Sequence, residues 1–281
     1  MLGPNDLCLC CGTIARASFE ELLEATVAGG FSGLSVWPRH YESALASGLS
    51  DRDMRHMLED RGLAITEVDA LLNWLPQAEY RVEVGGFSHG EDMFFRIADV
   101  LAARSVNVAC VSPVVVNAEA AAEAFSGVCD RAAQHGLKVS LEFLPWSGIP
   151  DAKTALEIVQ RADRPNGGVM VDTWHHFRSG HSAEELLALP GEVIVGVQIN
   201  DAASQAAENI VYESMHGRLL PGEGAIDLVQ AIRALDAIGS QAPIGVEVFS
   251  DELRKLPPVE AARKVGDAAR AIIAKARTRD N

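Results

Sequence analysis

With 281 residues, of which 48% are hydrophobic and 22% charged, the chain has enough apolar material for a full core and is near the usual size of one α/β barrel. Its formal charge of −15 would repel phosphate polymers and anionic membrane surfaces, and no Lys/Arg-rich run interrupts that field. Nucleic acid and lipid are therefore not expected partners; a small molecule is.

The start, Met1 to Thr13, lacks a basic leader region, and its apolar stretch Leu7–Cys11 is too short for a signal core or a membrane span. A soluble, cytoplasmic protein is the expectation. Five cysteines, three of them crowded into Cys8, Cys10 and Cys11, do not form an evenly spaced disulfide framework, so a reducing compartment fits. Cys8 and Cys10 would share a strand face, but no second Cys/His pair with zinc-site spacing accompanies them, and they read as small buried strand residues.

Short β-branched or apolar runs alternate with amphipathic stretches from end to end, the pattern of a parallel sheet with crossover helices. Eight runs are predicted as strands, approximately Leu7–Cys11, Gly33–Trp37, Leu63–Asp69, Val106–Val111, Leu137–Phe143, Gly168–Asp172, Val193–Asn200 and Ile244–Val248. Ser18 with Glu21 forms a capping box, Ser50 precedes a helix at Asp51, and Asn117 opens an Ala-rich helix. Gly30, Gly62, Gly136 and Gly239 are placed to close helices before the next strand. Helix-to-strand connections are terse, such as Gln134-His135-Gly136. Strand-to-helix loops are often long, notably Ala70–Gly90 and Asp201–Gly224. Long loops gathered at the strands' carboxyl ends favour a closed (β/α)8 TIM barrel, one domain over 1–281. No G-x-G-x-x-G turn follows the first strand, which disfavours a dinucleotide-binding sheet. Ala276–Asn281 reads as a polar tail.

Strands five to eight each carry a polar residue near the end: Glu142, Asp172, Gln198 and Glu247. Side chains alternate across a strand, so Ser140, Met170, Gly196 and Gly245 share their face. The opposite parity is apolar, including Leu141, Val171, Val197 and Val246, and suits the layer against the outer helices. The pattern points all four polar groups into the barrel mouth. Three carboxylates converging in a partly dry space stay ionised only if a cation offsets them. With the Gln198 amide oxygen the donor set is all oxygen, which favours one hard divalent ion, Mn²⁺ or Mg²⁺, over zinc.

These residues resemble the xylose isomerase-like sugar isomerase/epimerase superfamily over nearly the whole chain. The likeness is sharpest in Leu141-Glu142-Phe143, Val171-Asp172-Thr173-Trp174-His175, Arg218-Leu219-Leu220-Pro221-Gly222-Glu223-Gly224 and Gly245-Val246-Glu247-Val248. The resemblance implies that Glu142, Asp172 and Glu247 are metal ligands. It implies too that His175, which ends an Asp-x-x-His motif, contacts substrate beside the metal. The family's commoner fourth ligand is histidine; Gln198 stands there instead, as in relatives that look like inosose and 3-dehydroshikimate dehydratases. Arg218 resembles the family's basic residue before the Pro-Gly-Glu-Gly turn, either anchoring a substrate oxyanion or ordering its own loop.

The implied chemistry is proton abstraction beside a carbonyl with a metal-stabilised ene-diolate, Glu142 and Glu247 serving as the acid–base pair. Isomerisation, epimerisation and dehydration share that first half. His175 is placed by the motif to hold or protonate an oxygen. His176, His181 and His216 read as supporting or solvated residues. Trp37, Trp74, Trp146, Trp174 and Phe249 fall at or beyond strand ends, and Trp37, Trp74 and Trp174 in particular are expected as substrate-binding walls of a rather apolar pocket. An endonuclease IV-type activity would need histidines at early strand ends, where Trp37, Asp69 and Ser112 stand, and a basic track that this chain lacks. A barrel that only binds a ligand is the non-enzyme alternative. Dimers and tetramers are common among the resembling proteins, which leaves a homo-oligomer open.

Overall fold

The computed structural model describes residues 2–76 and 89–278. In chain order its regular elements are β1 (Leu7–Leu9), α1 (Phe19–Ala28), β2 (Gly33–Val36), α2 (Pro38–Ala46), α3 (Asp51–Asp60), β3 (Ala64–Leu71), α4 (Glu91–Leu101) and β4 (Ser105–Ala109). There follow α5 (Ala118–Ala133), β5 (Lys138–Glu142), α6 (Ala152–Ala162), β6 (Gly167–Asp172), α7 (Thr173–Arg178), β7 (Ile194–Ile199), α8 (Ile210–His216), α9 (Leu228–Ala237), β8 (Ile244–Val246) and α10 (Pro258–Arg277). The strands pair in sequence order, all parallel, and β1 pairs with β8 to close the barrel. This is the (β/α)8 architecture that the alternation of elements predicted.

Local chemistry sets the helix ends. Ser18 accepts from the Glu21 amide while the Glu21 side chain accepts from the Ser18 amide, and Ser50 with Asp53 repeats the arrangement. Asn117 accepts from the amides of Glu119 and Ala120. Gly30, Gly62, Gly136 and Gly239 all adopt positive φ just beyond their helices, the left-handed turn that lets each helix drop directly into the next strand.

Leu34, Val68, Val106, Leu141, Val171, Val197 and Val246 are fully buried against the helical layer. The opposite parity fills the barrel. Register pairs Glu142 with Met170, Met170 with Gly196, Asp172 with Gln198, and Gln198 with Gly245. At Gly196 the methyl end of Met170 fills the space that a Cβ would take. Cys8 and Cys10 are free and buried, as expected of small strand residues.

Two expectations about chain segments change. Ala276 and Arg277 belong to the last turn of α10, where Arg277 bonds Asp236, Asn5 and the Pro4 carbonyl; residues 279–281 of the expected tail lie outside the described residues. The long loop Asp201–Gly224 contains α8, which roofs part of the barrel mouth. Of the loop Ala70–Gly90, residues 77–88 lie outside the described residues. Among the described residues no helix is long and apolar enough to cross a membrane.

His40, in the first turn of α2, accepts from the Trp37 amide through Nδ1 (3.1 Å) and stacks beneath the Trp37 ring. Burial, helped by neighbouring Arg39, lowers its pKa to about 3. The folded state therefore takes up a proton far less readily than the unfolded chain. The stability that neutral His40 contributes is complete above the ordinary value of 6.5 and is lost as pH falls toward 3. His40→Leu, which has no proton to take up, is expected to flatten the acid slope of stability across that window, as read from urea midpoints at successive pH values; an unchanged slope would contradict this role.

Candidate metal centre at the barrel mouth

Glu142 ends β5, Asp172 ends β6, Gln198 lies near the end of β7, and Glu247 follows β8. All four are buried and point inward. Asp172 doubles as the N-cap of α7: its Oδ1 accepts from the amides of Trp174 (2.8 Å) and His175 (3.0 Å). Starting a helix one residue after the strand sends the next turn back over the barrel. His175 thus brings Nε2 to 3.4 Å from Glu142 Oε1. Ligand-capable atoms of Glu142, Asp172 and His175 lie within 4.8 Å of one another. Glu247 is outside that trio; its Oε2 turns to Arg218 Nη1 at 3.2 Å.

Arg218 is neither a surface residue nor free in its loop. It is 2% exposed, its guanidinium lies between the rings of Trp174 and Phe249, and Nη1 donates to Asp172 Oδ2 at 2.7 Å. Nη2 also lies 3.3 Å from His175 Nε2. The Pro-Gly-Glu-Gly turn that delivers Arg218 is organised from beneath. The buried Asp201 carboxylate accepts from the amides of Gly222, Gly224 and Ile226. Within this motif, Arg218 and not the turn itself reaches the site.

More carboxyl groups meet here than strands five to eight announced. Asp69 accepts from Trp37 Nε1 (3.1 Å) and Asn107 Nδ2 (2.9 Å); the same Nδ2 donates to Glu142 Oε2 at 2.7 Å. Ser140 Oγ donates to Asn107 Oδ1, which fixes that amide with its donor end toward the two carboxylates. Glu67 sits deeper, 3.4 Å from Gln198 Nε2. Burial, with the charges of Asp69 and Glu142, raises Glu67 to about 8, and burial with Glu142 raises Asp69 to about 6. Burial also pushes Glu247 well above the usual carboxylate range despite the pull of Arg218. Burial opposes the charge on Asp172 too, but Arg218, His175 and several hydrogen bonds outweigh it and hold that carboxyl low. Glu67, Asp69 and Asn107 have the same inward parity as the strand-end set. Extending the alternation rule to strands three and four would have found them.

The residues fit a divalent cation on two grounds. Negative charge exceeds what Arg218 neutralises, and among the described residues the buried Gln198 Oε1 has no hydrogen-bond partner, its amide nitrogen being turned to Glu67.

A cavity of about 350 Å³ opens above these groups. Glu142, His175, Arg218 and Glu247 line it, whereas Asp172 and Gln198, both buried, do not. Of the aromatic residues expected there, Trp37, Trp146 and Phe249 line the cavity. Trp74 does not: its Nε1 donates to the Ala109 carbonyl and its ring meets Phe125 edge-on in the core. Trp174 is also outside the lining, fully buried with its edge against Trp146 and His175. His176 faces away, with Nε2 at 2.8 Å from the Ser182 carbonyl; His181 pairs with Glu185 and His216 with Asp251.

Removing the buried guanidinium leaves Asp172 and Glu247 without their cation. Arg218→Gln is expected to destabilise the metal-free protein by about 3–5 kcal/mol. Saturating Mn²⁺ should return more stability to the variant than it adds to the parent, measured by urea unfolding with EDTA or Mn²⁺. A variant as stable as the parent in EDTA would contradict the assigned role.

A family model described as xylose isomerase-like TIM barrel matches residues 23–273. A 3-dehydroshikimate dehydratase from Pseudomonas aeruginosa is 29% identical over 246 residues, covering 85% of this chain and 37% of that protein. An inosose isomerase from Bacillus subtilis is 34% identical over 134 residues, 47% of each chain. The chain thus spans about half, or less, of the length of these curated relatives. Among solved structures, the IOLI protein, described with a binding zinc atom, aligns with a TM-score of 0.83 at 22% identity, covering 96% of this chain and 98% of that one. The barrel, its order of strands and the match over most of its length agree: the chain belongs to the xylose isomerase-like TIM barrel family.

Proposed function

We propose that this chain is a divalent-metal-dependent isomerase or epimerase acting on a small polyhydroxylated carbonyl compound, a sugar or sugar-like ketone, by proton abstraction beside the carbonyl. One observation carries the reading: Glu142 and Glu247, from β5 and just beyond β8, line the same cavity as His175 and Arg218, and Arg218 in turn bonds Asp172, the register partner of Gln198. Asp172, Gln198 and the two glutamates would hold the ion. Their oxygen donors suit Mn²⁺ or Mg²⁺, while His175 is the nitrogen that a softer ion such as the zinc of the IOLI structure would recruit. When bound, such an ion polarises a substrate carbonyl and offsets the charge that grows on its oxygen as the neighbouring carbon loses a proton.

The protein's own groups do the rest. Glu142 and Glu247 are the proton acceptor and donor, approaching a bound ketone from different sides. Asn107 holds Glu142 Oε2 in place, and Arg218 does the same for Glu247. His175, braced by the helix start at Asp172, reaches a substrate hydroxyl. Trp37, Trp146 and Phe249 exclude water. The inosose isomerase relatives support this reading.

A metal-dependent dehydratase is the second reading. The 3-dehydroshikimate dehydratase match over 85% of the chain favours it, as does Gln198 in place of the histidine common to the superfamily. Incubating Mn²⁺-loaded protein with inososes and hydroxylated ketoacids in deuterated water separates the two. Solvent deuterium in a product of otherwise unchanged mass supports isomerisation or epimerisation, and loss of water supports dehydration. Glu247→Gln is expected to keep the fold by circular dichroism and to lower kcat at least a thousandfold, within the range of removing a general acid–base and charge-stabilising group. Retained turnover would remove Glu247 from the proton path.

A further inference from the structure

The cavity is divided by strand. Asp69 and the groups contributed by β5, α7, the Arg218 loop and β8 make a polar arc. Apolar side chains complete the lining: Trp37, Val211, Met215 and Phe249 lie among the polar groups, and Ala70, Leu72, Ala109, Val111, Leu144 and Trp146 come from β3, β4 and the segments following β3, β4 and β5. The last six form a hydrophobic cluster separate from the main core, and all six line the cavity. Two main-chain groups of the wall are engaged elsewhere: the Ala109 carbonyl accepts from Trp74 Nε1, and the Leu144 amide donates to the Ile149 carbonyl. Among the described residues this small apolar cluster belongs to no inter-helix core and lines the cavity, which makes it a surface suited to the apolar part of a ligand.

A hydroxyl turned toward such a wall gives up its water partners and finds none in exchange. A ring hydroxylated on every carbon meets such a wall only with a C–H face, whereas a polyhydroxylated ring that keeps one unhydroxylated edge can meet it with that edge as well. We propose that the substrate is an amphiphilic cyclic ketol. Its carbonyl and adjoining hydroxyl face Glu142, His175, Arg218 and Glu247, and the ring carbons facing the β3–β5 wall bear hydrogen rather than hydroxyl. The ketol part rests on the function proposed above; the apolar flank rests on the wall alone. The wall residues are then specificity-determining rather than catalytic.

The test is calorimetric binding to the Mn²⁺-loaded protein of two probes that share the ketol: 2-hydroxycyclohexanone, whose other ring carbons carry only hydrogen, and an inosose, hydroxylated throughout. Leu144→Asn is expected to weaken 2-hydroxycyclohexanone about tenfold while leaving the inosose unchanged or tighter. Val111→Thr, at a half-buried position that tolerates a hydroxyl, should shift the ratio in the same direction and guards against a folding defect in the first variant. Equal weakening of both probes, or a wild type that binds the inosose and not 2-hydroxycyclohexanone, overturns the apolar flank and leaves the ketol reading standing. Binding of neither probe to the wild type overturns the ketol reading itself.

Discussion

Buried negative charge is the constraint around which the barrel mouth is organised. Glu67, Asp69, Glu142, Asp172 and Glu247 are each no more than 7% exposed, and Arg218 is the guanidinium set among them. Such a cluster is costly unless hydrogen bonds, protonation or a cation offset it. Each device has its place: Asn107 and Asn200 donate to carboxylates, Glu67 and Asp69 are pushed toward the protonated form, and Arg218 pairs with Asp172 and Glu247. What remains is an excess of buried carboxylate oxygen together with an unpartnered Gln198 Oε1, and a divalent ion is the group that such donors suit.

The surrounding architecture holds these charges at close quarters. Strand ends fix Glu142 and Asp172 to the barrel sheet, while loops and the helix starts beyond the strands bring other groups that line the cavity. Asp172 links the two: one oxygen starts α7 and so orients His175, and the other takes hydrogen bonds from Asn200 and Arg218. Arg178 pairs with Glu213 and ties α7 to α8, which keeps Ser214 and Met215 over the cavity and Ser214 within reach of Arg218. Asp201 performs the corresponding task for the turn that carries Arg218.

Much of this was legible in the sequence because it depends on periodicity. All eight strands fall within a few residues of the apolar runs, and the alternation that sent Leu141, Val171, Val197 and Val246 outward sent Glu142, Asp172, Gln198 and Glu247 inward. The same parity marks Glu67, Asp69 and Asn107; Asp69 is legible as a strand end but not as a partner of the carboxylate set, and Glu67 and Asn107 lie inside their strands, where no terminal polar residue signals them. Loop side chains were harder. Nothing local distinguishes Trp146, which lines the cavity, from Trp74, whose indole turns to the Ala109 carbonyl. Arg218 was visible as a cation beside a glycine-rich turn, but its partners depend on the path of a loop folded over Asp201, a long-range contact with no sequence period.

The most direct test of this account is an equilibrium titration of the metal-stripped protein with Mn²⁺, followed by electron paramagnetic resonance of the free ion and repeated on Glu142→Gln and Gln198→Leu. A single saturable site in the parent is the expected result, weakened at least tenfold in both variants with the fold intact. Failure of the parent to bind Mn²⁺, Mg²⁺ or Zn²⁺, or affinity indifferent to both substitutions, would contradict the claim that the excess oxygen donors at the barrel mouth hold a divalent ion.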